Sequence, residues 1–507
     1  MEYNLPKNWV SNQLSEIIEF VIGGDWGKDP QVFEDENYKQ VLCIRGGEIK
    51  NWRKDKGKTA SLRLVKDSSL NKRELKEGDI LLEISGGGPD QPVGRVVYID
   101  EDVLSFEPQI PKVGTNFLRL VRVYDTLSSK FINYYLQYFY VTGEVVNYQG
   151  GSNNLRNLKF KEYETIKIPI PPLAEQERIV AKLDNLFVEL DTIKERLETI
   201  PGLLKNFRQS VLNQAVTGKL TEEWREGKEL KDVGLMVKEF LLDLLKKEKS
   251  ISKKKNLETL IKVTPYNEYE IPPSWSFFNL EQLCLSFTYG TSTKSLNTGT
   301  TPVLRMGNLQ DGKIDWNKLK YTSDKKEIDK YLLNKGDVLF NRTNSPELVG
   351  KTSIYKGANK AIYAGYLIRI KTGYVLDSDY LNYILNSPYG RKWSWSVKSD
   401  GVSQSNINAK KLSQFNIPFP PKEEQQEIVK RIEALFKQAD NIQAHYEALV
   451  KRIEVLPQAM LAKAFKGELV PQLPTDGDAK ELLEEIKKLK EKSLRGTKQT
   501  TKRKVKN

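Results

Sequence analysis

The sequence predicts an α+β protein. Two mixed α/β domains are separated by two long helices packed as an antiparallel coiled coil, and the whole carries an internal pseudo-two-fold duplication. Three observations carry this prediction. The stretch Ile168–Leu220 returns as Ile417–Leu469 at a constant offset of 249 residues, without a gap. Both copies hold an apolar stripe in steps of three and four. Each copy also follows a long segment in which strand-like and helix-like patterns alternate. A repeat of this length sets the architecture before any single motif is read.

The stripe of the first copy runs through Ile179, Leu183, Leu186, Phe187, Leu190, Ile193, Leu197, Ile200, Leu204, Phe207, Val211, Leu212 and Ala215. The second copy keeps it from Ile428 to Ala464, close to the coiled-coil period. Pro171-Pro172 and Pro420-Pro421 precede the stripes, where a fixed φ suits a helix start, and Glu175 and Glu424 favour the positive end of the helix. Helices of about 40 residues would be roughly 60 Å long and cannot bury such a stripe alone. Packing on one another is the economical solution, with the domains held apart at opposite ends. Periodicity by itself also fits ordinary core hairpin helices. Pro201-Gly202 and Pro457 fall inside the stripes, so a kink or break is expected at each.

In chain order the expected segments are a first globular domain (1–172), a first helical spacer (173–220), a charged helical extension (221–263), a second globular domain (264–421), a second spacer (422–470) and a charged helix with a basic tail (471–507). In the first domain, Ile80–Ile84 and Gly94–Ile99 read as strands around a loop at Ser85–Pro89, and Phe131–Tyr140 as a core helix rich in aromatics. The extension holds an amphipathic helix at Val237–Ser250 with a basic end at Lys253–Lys255. Ala479–Ser493 resembles a second copy of it. Either helix could dock on a partner or lie in water, and the last residues, Thr497–Asn507, are expected to be unstructured. In the second domain Trp275 answers Trp9, Gly336-Asp337 answers Gly78-Asp79, and Gly350-Lys351 answers Gly94-Arg95, while the sequence between these anchors diverges. One frame carrying two sets of loops would read two different half-sites.

A net charge of +13 points to a polyanionic partner, but the charge is unevenly placed. Residues 1–172 hold 23 basic and 24 acidic side chains, whereas 264–421 hold 20 and 13, and 484–507 hold 10 and 3. The first domain therefore needs a local patch, which Lys50, Arg53, Lys54, Lys56 and Lys58 supply against Asp55 alone; a solvated loop has the same composition. Cys43 and Cys284 are expected as reduced core thiols. No apolar run is long enough for a membrane span and the N-terminus lacks a secretory pattern, so the cytoplasm is the expected location.

Several chemistries are absent from the pattern. Gly57-Lys58-Thr59 and Gly350-Lys351-Thr352 end like a P-loop, but its first glycine is replaced by Trp52 and Ser345. The Pro-Pro pairs follow Ile170, Ile271 and Phe419, not the Asn or Asp of an amino-methyltransferase loop, and no glycine-rich dinucleotide motif accompanies them. Glu48-Ile49-Lys50 has the tail of a nuclease cluster, yet with 67 acidic and 80 basic residues such triplets arise by chance. The single histidine, His445, lies on a helix with no second histidine for zinc.

The paired motifs IPIPPLAEQERIV and IPFPPKEEQQEIV stand with LPKNW at Leu5–Trp9, IPPSW at Ile271–Trp275, EGDILL at Glu77–Leu82 and KGDVLF at Lys335–Phe340. On these residues the chain resembles the specificity subunits of Type I restriction-modification enzymes, over nearly its whole length. The resemblance implies a DNA-reading subunit without catalytic activity. Its two target-recognition domains would enter the major groove, and its spacers would fix a bipartite target with an unread gap. The resemblance also implies partners: two methylation subunits that bind S-adenosylmethionine and flip adenine, and restriction and translocation subunits that use ATP and Mg. No cofactor is expected in this chain. Arginine pairs with guanine and Asn or Gln with adenine, so candidate DNA contacts are Arg45, Lys50, Arg53, Lys54 and Arg95, with Ser85 and Gln91, in the first domain. In the second they are Arg305, Asn308, Arg342, Asn344, Lys351 and Gln404. A self-contained nuclease fragment and a scaffold that binds only protein are the competing readings.

Overall fold

A computed structural model describes residues 5–88, 91–152, 155–401 and 404–504. The chain divides into two compact units: residues 1–197 with 448–507, and residues 198–447. The expected boundaries at 172/173 and 421/422 are therefore not where the compact units part. Each unit combines one globular domain with a part of both spacers, because a spacer's apolar stripe finds its cover on the domain beside it.

The first unit contains a four-stranded antiparallel sheet in the order Ile18–Gly23, Leu118–Val123, Ile80–Glu83, Val96–Tyr98. Beside it lie a three-stranded sheet with Tyr38–Ile44 between Ser61–Lys66 and Lys112–Gly114, and a smaller one with Leu155–Leu158 between Gln149–Ser152 and Ser85–Gly86. The second unit repeats all three. Its four-stranded sheet runs Cys284–Tyr289, Leu367–Thr372, Val338–Asn341, Thr352–Ile354. Thr301–Leu304 and Ser405–Asn406 are the central strands of its two smaller sheets. The registers coincide as well: Ile80 faces Val121 where Val338 faces Ile370, and Glu83 faces Leu118 where Asn341 faces Leu367. Strands are where the sequence places them, and Phe131–Tyr140 lies in the helix Ser129–Val141, packed into the core.

The spacer helices are Leu173–Val216 and Lys422–Phe465. In the first unit Ile179, Leu183, Phe187 and Leu190 share a core with Ile453, Leu461, Ala464 and Phe465. In the second, Val211, Leu212 and Ala215 share one with Ile428 and Ile432. The start of one helix meets the end of the other in each unit, which is the antiparallel sense. Two expectations need correction. Both helices run unbroken through Pro201 and Pro457. A proline removes only the ladder bond to the carbonyl four residues back, Leu197 and Ile453 here, and that loss does not end either helix, so of the kink or break expected it is the break that is corrected. The stripe is also not covered along its whole length, since Ile193, Phe207, Ile442, Leu449 and Leu456 are exposed.

The charged helices dock on the globular domains of their own units. Val233–Lys247 sets Phe240 into the core of the second unit, edge-on to Tyr374. Ala479–Lys504 buries Ile486 in the first unit, where Lys490 pairs with Glu16 at 2.9 Å. The tail expected to be unstructured is thus helical as far as Lys504; residues 505–507 lie outside the described residues. Lys253–Lys255 sit inside a further helix, Ile251–Lys262. Both cysteines are buried and unpaired, and burial beside Asp25 pushes the Cys43 thiol up to about 12.

Candidate nucleic-acid interface

The paired sequence motifs meet at one seam in each unit. Strand Val10–Gln13 pairs antiparallel with Lys167–Ile170, as Ser276–Asn279 does with Asn416–Phe419, so each tryptophan motif is laid against a Pro-Pro motif. The Trp9 indole donates to Glu175 at 3.0 Å and the Trp275 indole to Glu424 at 2.8 Å, both carboxylates being fully buried. The next residue repeats as well. Gln176 accepts from the Ser128 amide at 2.9 Å and donates to the Pro171 carbonyl at 2.8 Å. Gln425 accepts from the Asp377 amide at 2.7 Å and donates to the Pro420 carbonyl at 2.9 Å. The Glu-Gln pair therefore fastens a domain to the first turn of its spacer, and the glutamate has a larger task than favouring a helix dipole.

The divergent segments are attached to this common frame. Beyond the ends of the inner strands Ile80–Glu83 and Val338–Asn341, the short strands Ser85–Gly86 and Thr343–Asn344 pair with Leu155–Leu158 and Ser405–Asn406, which pair in turn with Gln149–Ser152 and Ser399–Asp400. Cross-strand bonds hold them: Ser85 Oγ to Asn157 at 2.6 Å and Asn406 Nδ2 to Thr343 at 2.8 Å. The expected loop at Ser85–Pro89 thus begins with a strand, and Pro89 lies outside the described residues.

Next to these strands, a tight turn is built identically in both units. Leu118 N–H donates to the Thr115 carbonyl at 2.8 Å, and Leu367 N–H to that of Ala364 at 2.9 Å. Thr115 N–H reaches the Ile44 carbonyl and Ala364 N–H the Leu304 carbonyl, each at 2.9 Å. Gly24 and Gly290 cross the two turns so closely that a Cβ would meet carbonyl oxygens at 2.1 and 2.2 Å.

The candidate contact residues divide by what already holds them. Arg95 grips buried Glu83 through Nε at 2.9 Å and donates to the Gly46 carbonyl at 3.0 Å. Gln91, with its amide oxygen turned toward that guanidinium, accepts from it at 3.1 Å. Arg45 is exposed, and its Nε donates to Glu48 at 2.9 Å. The cationic run is split. Lys50, Lys54 and Lys58 stand exposed, whereas Lys56 pairs with Asp100, and the Arg53 guanidinium lies 3.5 Å from the Phe187 ring centroid, turned toward the spacer. In the second unit, Asn308 is only 3% exposed and spends its amide on the carbonyls of Asp315 and Asn317 and on the Arg305 amide. Its selection as a base reader is therefore corrected: a base edge has no access to it, because it braces a turn. Arg305 donates to the Lys318 carbonyl at 3.4 Å. Arg342 lies over the Tyr289 ring at 4.6 Å, Asn344 accepts from Ser345 N–H, Lys351 reaches Gln310 at 3.2 Å, and Gln404 is exposed beside its hairpin.

Ser85 and Asn157 in one unit, and Arg342, Thr343, Asn344 and Asn406 in the other, are brought together; Arg305 follows the strand Thr301–Leu304 and Lys351 precedes the strand Thr352–Ile354, outside that group. Asn157 and Asn406 escaped the sequence reading, because no periodicity marks a short hairpin that pairs across so long a separation. The nuclease-like triplet is dismantled, since Glu48 is buried and held by Arg45.

A twice-built frame with unlike polar edges defines the class: a duplicated recognition subunit. A family profile described as Type I restriction modification DNA specificity domain matches residues 6–201 and 272–452. The chain is 28% identical to the EcoKI specificity subunit of Escherichia coli K12, over 99% of both chains. It is 31% identical to the EcoBI specificity subunit of Escherichia coli, over 71% of each. In fold it is similar to the HsdS subunit from Thermoanaerobacter tengcongensis, with a TM-score of 0.56 at 18% identity, covering 92% of this chain and 99% of that one. A structure described as showing complex assembly and conformational transition of the Type I system gives a TM-score of 0.55, also at 18% identity and covering 92% and 100%. The chain belongs to the specificity subunits of Type I restriction-modification enzymes, which are recognition subunits and not catalytic ones.

Proposed function

We propose that this chain reads a bipartite DNA target and directs adenine methylation and restriction by partner subunits. The observation that carries this reading is the repetition of one frame, matched twice by the DNA specificity profile, with different polar side chains on corresponding edge strands. Each domain supplies base contacts from its edge, with lysines and arginines on phosphates. The spacers set the unread gap. Two methylation subunits bring S-adenosylmethionine, and restriction subunits bring ATP and Mg. No helix among the described residues is long and apolar enough to cross a membrane, which fits work on DNA in the cytoplasm.

Genome-wide mapping of methyladenine, with and without this gene, tests the reading. A split motif that disappears on deletion is expected, and an unchanged methylome would falsify it. Arg342→Ala should cost about 1–3 kcal/mol on the cognate site and relax one position. Four residues added to one spacer lengthen it by about 6 Å, which should widen the gap by one or two base pairs of roughly 3.4 Å each. A gap that stays the same removes the ruler interpretation. Specific cutting by the purified chain with DNA and Mg alone would favour the nuclease reading.

A further inference from the structure

The tight turns described above each present an aromatic ring to solvent at the same structural position: Phe117, 48% exposed, and Tyr366, 50% exposed. We infer that Phe117 and Tyr366 are DNA-contacting residues, each laying its ring against bases or sugars of the half-site read by its own domain. The inference rests on the DNA-recognition reading above.

A single exposed aromatic is ordinary on a protein surface. Here the position recurs. The two rings are 249 residues apart, the same offset that relates the spacers, although the edge strands beside them have different sequences. Each is held rigidly by main chain. The Phe117 carbonyl accepts from Ile84 N–H at 2.9 Å, and the Tyr366 carbonyl from Arg342 N–H at 3.0 Å. These bonds stitch the ring's own residue to the strands that carry Ser85 and Asn344. Holding an aromatic ring in water by backbone bonds does nothing for the core, because the bonds need no particular side chain.

The surroundings suit nucleic acid better than a protein partner. Exposed Asn116 precedes Phe117, and Gly365 precedes Tyr366, so neither ring extends into an apolar patch along its own turn. Arg342, bonded to the Tyr366 turn, lies over the exposed Tyr289 ring. A guanidinium and flat rings on one surface are a combination that suits the bases, sugars and phosphates of nucleic acid. The rings would add affinity with little sequence preference, through sugars and the apolar edges of bases, leaving discrimination to the polar edge strands.

The test uses the full chain assembled with its methylation subunits and a duplex carrying the sequence located by methyladenine mapping. Phe117→Ala and Tyr366→Ala should each weaken binding about tenfold. The slope of affinity against salt should stay as it is, because no phosphate contact is lost. Phe117→Tyr and Tyr366→Phe should bind as the unaltered chain does. The unaltered complex gives an independent readout: 5-iodouracil stepped through the target should photocross-link to Phe117 and Tyr366. Wild-type affinity in both alanine variants, or no cross-link to either ring at any position, overturns the inference. So does loss of the methylation subunits with DNA affinity kept in the assembled fraction, which would mark a protein-docking site. If the unaltered complex shows no preference for the mapped duplex, the DNA-recognition reading fails first.

Discussion

The two units fasten their domains with corresponding glutamates, yet they surround these with different charge. In the first, Glu175 takes bonds from neutral groups: the Trp9 indole, Asn8 at 3.4 Å and Gln472 at 3.1 Å. In the second, Glu424 is bound by the Trp275 indole, the Thr221 hydroxyl at 2.7 Å and the Arg225 guanidinium at 2.6 Å. The difference teaches that a duplicated frame conserves the geometry of a joint more strictly than its electrostatics. A buried ion pair is costly to break from one side, because the remaining charge is left without a partner. Glu424→Ala should therefore destabilise the second unit by about 3–5 kcal/mol. Glu175→Ala loses neutral hydrogen bonds and should cost about 1–3 kcal/mol. Denaturant titration followed through indole fluorescence compares them, and equal losses would break the contrast.

A second pair of corresponding acids differs in the same manner. Asp79 is fully buried and holds Arg122 through two bonds, at 2.7 and 2.8 Å. Asp337 accepts from Asn334 N–H, but its nearest arginine, Arg369, is 3.8 Å away, and burial raises its carboxyl above the ordinary value of 3.8. Asp79→Asn should cost about 3 kcal/mol. Asp337→Asn should change stability by less than about 1 kcal/mol, because it relieves a poorly compensated charge. Thermal unfolding of both variants sharpens the comparison, and a larger loss for Asp337→Asn would reverse it.

Acid should act with opposite sign on two carboxyls, one in each unit. In the first, the Arg178 guanidinium holds the Asp476 carboxyl below its ordinary value, with bonds of 2.6 Å. Its folded form binds the proton less readily than the unfolded chain, so its contribution is complete above the ordinary carboxylate range and is lost as pH falls through the lowered value. Asp337 behaves oppositely. Between its ordinary and raised values the folded form protonates first, so this one carboxyl adds stability as pH falls, against the lowered carboxyls of Asp400 and Glu427 in the same unit. Asp476→Asn should remove the part of the first unit's acid loss that comes from this carboxyl and leave the second unit's response unchanged. Hydrogen exchange resolved by segment, measured down a pH series, reads both.

The duplication, the antiparallel spacers and the strands of the frame were legible in the sequence because they rest on period and offset, which backbone geometry converts directly into structure. The role of Glu175 was only half legible. Its place in a helical first turn is a local property, whereas its bond to Trp9 depends on two strands far apart in sequence. The candidate contacts were the least legible. Arg95 and Asn308 have the side chains that read bases, but the nearby Glu83 and the carbonyls of Asp315 and Asn317 claim them first. Composition cannot tell a donor held by its own fold from one left for a ligand. Of the kink or break expected at Pro201 and Pro457, the break does not occur, because one missing bond was weighed alone, without the helical turns on either side.

The smallest contrast lies where a recognition domain leans on a spacer flank. Phe187 and Asp191 correspond to Phe436 and Asp440. In the first unit the cation comes from the domain: Arg53 covers the Phe187 ring at 3.5 Å and approaches Asp191 at 3.8 Å. In the second unit Asp440 is met at 2.7 Å by Arg208 of the other spacer helix, and at 3.6 Å by Lys313 of the domain. Arg53→Ala should therefore loosen domain against helix by about 0.5–1 kcal/mol, with an effect that persists in high salt because the guanidinium rests on a ring. Arg208→Ala removes a solvent-exposed ion pair worth about 0.2–1 kcal/mol, which salt screens away. Unfolding of each variant at low and high ionic strength tells them apart. If both effects vanish in salt, Arg53 acts through Asp191 and the ring beneath it contributes nothing to the joint.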